Sequence, residues 1–340
     1  MFTPKDGGHL DNSEVIAEEG MPCLTAVDFL IMQVELAKAT VTGVNPEIIL
    51  PYPLSVCFSV TDQCDRHCGH CMSASTMKSH PGLTHEQVKN LFDRLKKSGV
   101  SRIDIVGGEP FLRNDILDIL QYAIHIDLMP TVTTHGGLLT EQTAVSLSKL
   151  GITVQVSLDG SQDENDKLRG RNSYSGALKA IQLLVAAGVP VRISCTIQRS
   201  NQNAVEHVLK VAKNFGATGV YVNLICSQGR ANTMHDKISL TEDDESSLRR
   251  KIVLLSQEAG PNSQLLEMKK VGRGGVFISA SGEFMSQAQF EEDRKCFGNA
   301  LTDDIREMWR RTDTDHTSHL LQYLQHPSMY KPDMYSDIDR

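Results

Sequence analysis

The amino-acid sequence predicts an α/β protein, a partial (β/α)6 TIM-like barrel followed by a small C-terminal α+β extension. From residue 54 onward, short β-branched runs alternate with amphipathic helical segments. The connections are short, and because right-handed crossovers place the helices outside, this alternation predicts a parallel sheet. Six βα units are fewer than the eight of a closed barrel, so an open partial barrel is the economical interpretation. A flat, doubly wound sheet is the alternative.

Six segments have the apolar, β-branched character of strands. They are LSVCFSV (54–60), SRIDIVG (101–107), MPTVTT (129–134), ITVQVSL (152–158), VPVRISCTI (189–197) and TGVYVNLIC (218–226). Apolar residues at helical spacing predict the helices between them, at 84–98, 114–126, 140–149, 174–187 and 202–214. Glycines able to end a helix in the left-handed conformation follow four of these helices, namely Gly99, Gly151, Gly188 and Gly216.

The chain divides into three predicted parts. Residues 1–50 form an N-terminal arm with one helix, 51–257 form the barrel, and 258–340 form a small module and a polar tail. The last predicted helix of the barrel spans about 241–257, and the βα alternation stops after it. In the module, alternation over 274–290 predicts a hairpin around Ser281-Gly282, and TDDIREMWRR (302–311) predicts a short capped helix.

Composition excludes several classes of function. The 340 residues carry a net charge of −8 with a pI of about 5.8 and no basic block, which disfavours a nucleic-acid partner. The first residues lack the pattern of a signal peptide, and the longest apolar stretch is interrupted by charged side chains, so we expect no membrane partner. A cytoplasmic location is expected, where reduced thiols favour metal or redox roles over disulfides.

The segment TDQCDRHCGHCMSAS (61–75) holds three of the eight cysteines within eight residues, Cys64, Cys68 and Cys71. His67 and His70 lie between them and raise the possibility of zinc. Structural zinc sites pair separated CxxC motifs, however, and no second motif follows here. A compact run of this kind is typical of an iron–sulfur cluster. Three ligands on four irons leave one iron open, and the loop follows the first strand, where βα barrels place active sites.

A second motif, GGEP (107–110), ends the second predicted strand. The order of CxxxCxxC after strand one and GGEP after strand two resembles the radical S-adenosylmethionine (radical SAM) superfamily, over about residues 54 to 230. The resemblance implies an enzyme with one [4Fe–4S] cluster, whose open iron chelates the methionine part of S-adenosylmethionine (SAM). An electron from a reduced flavodoxin or ferredoxin would cleave SAM to a 5′-deoxyadenosyl radical, which abstracts a hydrogen atom from the substrate.

The resemblance also implies roles for individual residues. The cluster ligands would be Cys64, Cys68 and Cys71. The SAM ammonium would be held by the edge and carboxylate of the motif formed by Gly107, Gly108, Glu109 and Pro110. The SAM carboxylate would be contacted by Ser157, in VSLDG, and by Arg169, in LRGRNSYSGAL.

Two further segments match less closely. TTHGGLLT (133–140) occupies the place of the usual TNG motif, with His135 instead of asparagine, so no SAM contact is assigned to this loop. GRA (229–231) resembles the family's turn after strand six.

The C-terminal module resembles a degenerate SPASM or twitch extension of this superfamily. Its hairpin, GN turn and Trp-containing helix match, but Val271 stands where a ligand cysteine is expected, and Cys296 is the only cysteine after Cys226. One thiolate cannot hold an auxiliary cluster. Without that electron acceptor, a redox-neutral outcome such as epimerisation, rearrangement, C–C bond formation or decarboxylation is favoured.

A redox-neutral reaction can require a hydrogen donor for the product radical. Cys296, beside a loop that could cover the barrel mouth, is the candidate donor, with a plain semi-buried thiol as the alternative. The strand patterns favour core positions for Cys195 and Cys226. Cys57 alternates with serines and could face the lumen near the barrel bottom.

The leading functional hypothesis is therefore a radical SAM enzyme acting on a small molecule, such as a sugar, nucleoside or amino-acid-like compound, in natural-product biosynthesis. The first alternative is a ribosomal-peptide maturase, an epimerase or crosslinking enzyme, although the arm is too short for a leader-recognition domain. The alternative from another class is a non-catalytic iron–sulfur or zinc module. An intact GGEP argues against that module, because a binding protein needs no site for the SAM ammonium.

Overall fold

The computed structural model describes residue 32 and residues 49–259, 264–269, 275–287 and 292–312. Apart from residue 32, the predicted helix of the N-terminal arm falls outside the described residues, as do Val271 and the tail after residue 325.

The described strands form one ten-stranded sheet in the order β10-β9-β8-β1-β2-β3-β4-β5-β6-β7. The strands are β1 Ser55–Ser59, β2 Arg102–Val106, β3 Met129–Thr134, β4 Thr153–Ser157, β5 Val191–Ile197, β6 Gly219–Leu224, β7 Gln264–Lys269, β8 Val276–Ile278, β9 Glu283–Ser286 and β10 Cys296–Asn299. The helices are α1 His85–Ser98, α2 Ile116–His125, α3 Glu141–Leu150, α4 Gln162–Arg169, α5 Ser173–Ala186, α6 Ala204–Phe215, α7 His235–Ile238, α8 Glu242–Ala259 and α9 Ile305–Arg310.

Strands β1 to β6 pair in parallel in sequence order, which is the predicted partial barrel. The sheet has two ends, β7 and β10, so it is open rather than closed. Successive strands connected by helices bring the carboxyl ends of all six strands to one rim, where the loops that follow β1 and β2 meet.

Helix α1 illustrates why these segments fold as predicted. Thr84 caps its N-terminus in a reciprocal capping box with Gln87. Gly99 ends it with a φ of 106°, a conformation that β-carbon-bearing residues avoid. Its apolar stripe is fully buried, and Phe92 packs edge-on against Phe58 of β1. Burial of this stripe fixes the helix on the outside of the strand that leads to the cysteine loop.

The C-terminal extension continues the barrel sheet. Strand β8 pairs in parallel with β1, and the predicted hairpin around Ser281-Gly282 is formed by β8 and β9. The indole nitrogen of Trp309, a fully buried residue of α9, donates to the Leu50 carbonyl at 2.8 Å. Strand β7 pairs in parallel with β6 at the other end. The extension therefore supports the first strand of the barrel directly.

Four of these helices and strands are absent from the sequence prediction, one of them the four-residue helix α7 after β6. Helix α4 is too polar to show an apolar period, since Asn165 is its only buried residue. Strand β7 and strand β10 are short segments in the module, where no alternation was recognised. No helix among the described residues combines the length and apolarity needed to span a bilayer.

Candidate active site

A cavity of about 440 Å³ opens at the carboxyl-end rim of the barrel and extends down into its lumen. Cys64, Cys68 and Cys71 all line it, as do Gly107 and Gly108 of the GGEP motif. The structure thus brings together on one wall the two motifs that lie some 40 residues apart in the sequence. The size is in the range of a site for a cofactor or small ligand.

The cysteine loop presents three free, half-buried thiols. The amide of Cys71 donates to the Cys68 carbonyl at 3.2 Å, and the Arg66 amide donates to Cys64 Sγ at 3.4 Å. Burial raises the pKa of Cys64 to about 12 and also raises that of Cys68. Ligation of iron by these residues therefore has to displace their protons.

The GGEP motif is docked on the backbone that precedes Cys64. The amide of Gly108 donates to the Thr61 carbonyl at 2.7 Å, and the amide of Glu109 donates to the Gln63 carbonyl at 2.8 Å. A β-carbon at Gly107 would overlap the Thr61 carbonyl oxygen, and one at Gly108 would overlap that of Gln63. Both positions therefore require glycine for this close approach.

The carboxylate of Glu109 is fully buried and bound within the protein. Thr134 Oγ1 and the His135 amide donate to it at 2.7 and 2.9 Å, and the Phe111 amide donates at 3.1 Å. His135 Nε2 lies 3.2 Å from it and 2.8 Å from Asp65. The His135 side chain, which replaces the family's asparagine, therefore joins the GGEP motif to the cysteine loop.

Arg169 lines the cavity, but its guanidinium is already paired. Its Nε and Nη2 donate to the two oxygens of Asp159 at 2.6 and 3.1 Å. His70 Nε2 lies 3.2 Å from the same carboxylate, and the Thr196 amide donates to it at 2.8 Å. The guanidinium holds the pKa of Asp159 well below its usual range despite complete burial, and the pKa of Arg169 is correspondingly raised. This ion pair fixes the end of α4 to the turn after β4, and His70 connects the same carboxylate to the cysteine loop.

Arg230, in the GRA turn after β6, secures the other side of the loop. Its Nε donates to the Cys68 carbonyl at 2.7 Å and its Nη1 to the Ser75 carbonyl at 3.0 Å. The neighbouring Gly229 has a φ of 54°, and a β-carbon there would lie 2.5–2.6 Å from the carbonyl oxygens of Met72 and Cys71. Close packing of this turn on the loop therefore excludes a side chain at position 229.

The remaining predicted residues divide into two groups. Ser157 lines the cavity at the end of β4, whereas Pro110 is buried at the start of a 3-10 turn, Pro110–Leu112. The structure does not bring Cys296 to the cavity, since it is exposed on β10 with its thiol 3.5 Å from the Gly298 carbonyl. Two other thiols, Cys57 and Cys226, do line the cavity, and Cys226 is also buried, as expected for it.

The sequence did not predict the roles of Asp159 and Arg230 at the cavity mouth, or the partners of His135. Asp159 lies in VSLDG, two residues after β4 ends, and Arg230 lies in GRA, in the loop after β6. A charged residue in a loop at the carboxyl-end rim of a parallel sheet is the feature that could have identified them.

The cavity mouth fits a polar cofactor. Three residues lining it carry a buried polar atom for which the described residues supply no hydrogen-bond partner: Arg66 Nε, His70 Nδ1 and Ser75 Oγ. Buried polar atoms are rarely left unpaired, and a bound polar group at the mouth would satisfy them. The donor set of three adjacent thiols is of the kind that holds an iron–sulfur cluster.

A parallel partial barrel with a three-thiol loop and a docked GGEP motif at its mouth defines an enzyme that binds a metal cluster and a polar co-substrate. A family model described as "Radical SAM superfamily" matches residues 58–212. This region of the chain therefore carries a radical SAM domain, whose cofactors in that superfamily are a [4Fe–4S] cluster and SAM, and the chain is similar to enzymes of that class.

Two curated relatives show where the similarity lies. Mycofactocin maturase MftC of Mycobacterium tuberculosis is 29% identical over 230 residues, which cover 67% of this chain and 59% of that protein. An AdoMet-dependent heme synthase of Oleidesulfovibrio alaskensis is 28% identical over 197 residues, covering 57% of this chain and 51% of that protein. The chain thus matches little more than half the length of these relatives.

Among solved structures, Streptococcus suis SuiB bound to S-adenosylmethionine aligns with a TM-score of 0.67 at 17% identity, covering 84% of this chain and 71% of that chain. SuiB bound to precursor peptide SuiA aligns with a TM-score of 0.62 at 18% identity, covering 87% and 72%. At this identity the likeness establishes the fold.

Proposed function

We propose that this enzyme is a radical SAM peptide maturase, which abstracts a hydrogen atom from a ribosomally made peptide. The observation that carries the proposal is the three-thiol loop joined to the GGEP motif at the mouth of a deep cavity. The peptide substrate is supported by the similarity to a maturase. The comparisons therefore favour the peptide alternative over the small-molecule substrate that the sequence analysis preferred.

Cys64, Cys68 and Cys71 would hold the cluster. When bound, the cluster supplies the electron that cleaves SAM and so provides the radical chemistry. Gly107 and Gly108 would place backbone groups against the methionine part of SAM. Because the Glu109 carboxylate is bound by protein donors, its proposed role is to orient the motif rather than to bind the SAM ammonium directly.

Ser157 and Arg169 remain the proposed contacts for the SAM carboxylate. The ion pair with Asp159 holds the Arg169 guanidinium in place at the cavity wall. An arginine presents five donors, so contact with a SAM carboxylate is compatible with retention of both bonds to Asp159. Preorganisation of this kind reduces the cost of ordering the side chain on binding.

The role of Cys296 as hydrogen donor stays a prediction, and its exposed position makes it a weaker candidate than Cys57 or Cys226. The matched test compares solvent deuterium in the product of the Cys296→Ala and Cys226→Ala variants. We expect Cys296→Ala to incorporate deuterium as the wild type does. Loss of deuterium in Cys296→Ala alone would restore Cys296 as the donor.

Anaerobic reconstitution with iron and sulfide tests the proposed function. About four irons per chain are expected, together with 5′-deoxyadenosine on addition of SAM and a strong reductant. A content near eight irons would contradict a single cluster. Incubation with peptides encoded beside the gene, followed by mass spectrometry, tests the substrate class. The supporting result is a modified peptide formed together with 5′-deoxyadenosine.

A small-molecule substrate is the second candidate, supported by the similarity to a heme synthase. Turnover of a sugar, nucleoside or tetrapyrrole with no modification of any such peptide would favour it. In either case we propose a cytoplasmic enzyme that receives electrons from a flavodoxin or ferredoxin, since free thiols and a low-potential reductant are both needed.

A further inference from the structure

The lower part of the cavity, within the barrel lumen, has an excess of positive charge. Arg102, Arg192 and Arg294 line it, and among the described residues the single carboxylate on its wall is Asp104. The other arginines on the cavity wall belong to the mouth. They are held by partners described above or, for Arg66, by a bond to the Arg171 carbonyl.

Arg192 is the unusual member of this group. It is only 4% exposed, and its Nη2 has no hydrogen-bond partner among the residues that the structure describes. Arg294, by contrast, stacks over the Phe277 ring at 4.9 Å. Burial lowers the pKa of Arg192 to about 10, whereas Tyr221 and Asp104 act in the opposite direction and Arg102 in the same direction. A buried donor without a hydrogen-bond partner is destabilising, so a partner for Nη2 is expected to arrive from outside.

The strand register keeps space open beside Arg192. It is the second residue of β5, and its neighbours across the sheet are Gln155 on β4 and Gly219 on β6. The glycine contributes no side chain on that side. Gln155 is turned to Thr133, to whose hydroxyl its amide donates at 3.2 Å. Arg192 therefore lines the lumen with its Nη2 donor available.

We propose that Arg192 binds a carboxylate of the substrate inside the barrel lumen. This inference rests on the proposed function, because a ribosomally made peptide offers carboxylates as its anionic groups. The guanidinium fork matches a carboxylate in a planar, two-bond geometry. The carboxylate could come from an acidic side chain or from the peptide C-terminus, and in both cases it would anchor the residue below the reacting centre.

Binding of small fluorinated probes to the reconstituted holoenzyme, with SAM and without reductant, tests the inference by 19F NMR. N-acetyl-4-fluorophenylalanine carries a terminal carboxylate, and N-(4-fluorobenzoyl)-aspartate α-amide carries only a side-chain carboxylate. The neutral control is N-acetyl-4-fluorophenylalanine amide. We expect at least one carboxylate probe to bind at least about tenfold more tightly than the amide, and the preferred probe identifies the source.

Variants assign this preference to one side chain. Arg192→Gln should reduce the preference to within about twofold, Arg192→Lys should retain part of it, and the exposed Arg250→Gln on α8 should leave it unchanged. Equal binding of the amide and both carboxylates by the wild type, or an undiminished preference in Arg192→Gln, would overturn the inference.

Two further measurements separate the possible failures. Arg192→Met should unfold at the same temperature as the wild type or higher, because it removes a buried charge with an unpaired Nη2 donor. A decrease of more than about 5 °C would identify Arg192 as a structural residue and reject the binding role. Formation of 5′-deoxyadenosine by the wild type tests the proposed function independently. If it forms while the carboxylate preference is absent, only the present inference fails.

Discussion

The mouth and the lumen of the cavity differ in the hydrogen bonding of their buried charged side chains. At the mouth, the Asp159 carboxylate has bonds from Arg169 and from the Thr196 amide, and Arg230 is anchored on two carbonyls of the cysteine loop. In the lumen, Arg192 is buried without a partner for its Nη2. The mouth is therefore built to hold a fixed geometry, whereas the lumen retains binding capacity for a group that the described residues do not supply.

This difference corresponds to two kinds of ligand. A cofactor site that serves every turnover gains from groups fixed in advance, because their ordering is completed during folding. A substrate site has to exchange its occupant, so a recognition group there is left unpaired in the free enzyme. Four substitutions and one dependence on pH test this difference between mouth and lumen, and they are given in decreasing order of effect.

Removal of a cluster ligand should abolish both iron binding and SAM cleavage at the mouth. Cys71→Ala is expected to lower iron content from about four atoms per chain to nearly none, and to eliminate 5′-deoxyadenosine formation. Iron analysis and chromatography of the products measure both. Cys296→Ala is the matched control, because it removes an exposed thiol outside the cavity. Full iron content in Cys71→Ala would show that this cysteine is not a ligand.

Asp159→Asn should convert the mouth into a site with an unpaired buried cation, like the lumen. Loss of one partner of a buried ion pair is expected to cost about 3–5 kcal/mol of unfolding free energy. Chemical denaturation measures this loss, and the exposed Asp118→Asn on α2 is the control. An unchanged free energy of unfolding would mean that the pair with Arg169 contributes nothing to stability.

The same pair predicts the dependence of wild-type stability on pH. The folded-state pKa of Asp159 lies below its unfolded value, so its contribution is complete above the usual aspartate pKa and is lost as the pH falls. The difference between wild type and Asp159→Asn should therefore shrink from about pH 5 downward. A difference that is constant across this range would contradict the assignment.

Gly229→Ala tests the close packing of the GRA turn on the cysteine loop. A β-carbon there meets the Met72 and Cys71 carbonyl oxygens, whereas at Gly151, with a φ of 65°, it meets nothing within 4 Å. Both alanine variants share a backbone cost of about 1–2 kcal/mol. Gly229→Ala should lose about 1–3 kcal/mol more and bind SAM more weakly. Equal unfolding free energies and SAM affinities of the two variants would show that this packing contributes neither to stability nor to SAM binding.

Arg230→Gln should have the smallest effect of the four changes. It removes two charge-assisted hydrogen bonds, but the glutamine amide can still donate to one of the Cys68 and Ser75 carbonyls, so the net loss is about that of one such bond, about 1.5–3 kcal/mol. The cluster should still assemble, but the electron paramagnetic resonance spectrum of its reduced form should change as the loop loosens. The exposed Arg199→Gln provides the control. A spectrum identical to wild type would show that the loop is fixed without Arg230.

Much of the barrel could be predicted from sequence because its strands and helices have strong local periods. The helix stops at Gly99, Gly151 and Gly216 all adopt the left-handed conformation expected of them. Helix α4 could not be predicted, because it buries one polar residue and carries no apolar stripe. Its position depends on the ion pair between Arg169 and Asp159, a tertiary contact that no local pattern encodes.

The site was predicted only in part for the same reason. The cysteine and GGEP motifs are contiguous segments with a known order, so the sequence indicates them directly. The unpaired Nη2 of Arg192 depends on what lies opposite it across the sheet, including the glycine on β6. The location of Cys296 likewise depends on how β10 pairs with β9, at the far end of the sheet from the barrel. Such relations arise only after the strands are arranged in space.

The pairing of β1 with β8 has a consequence for the synthesis of the protein. Residues 57 and 58 pair with 277 and 278. Among the described residues, the outer edge of the first strand therefore has no pairing strand until the ribosome has made most of the chain. An uncovered parallel edge of this kind is prone to pair with other nascent chains. The cysteine loop that follows β1 therefore gains its final support late in translation. Delivery of iron and sulfide to this loop is then best timed after release, and chaperone protection of the unfinished edge should increase the yield of loaded enzyme.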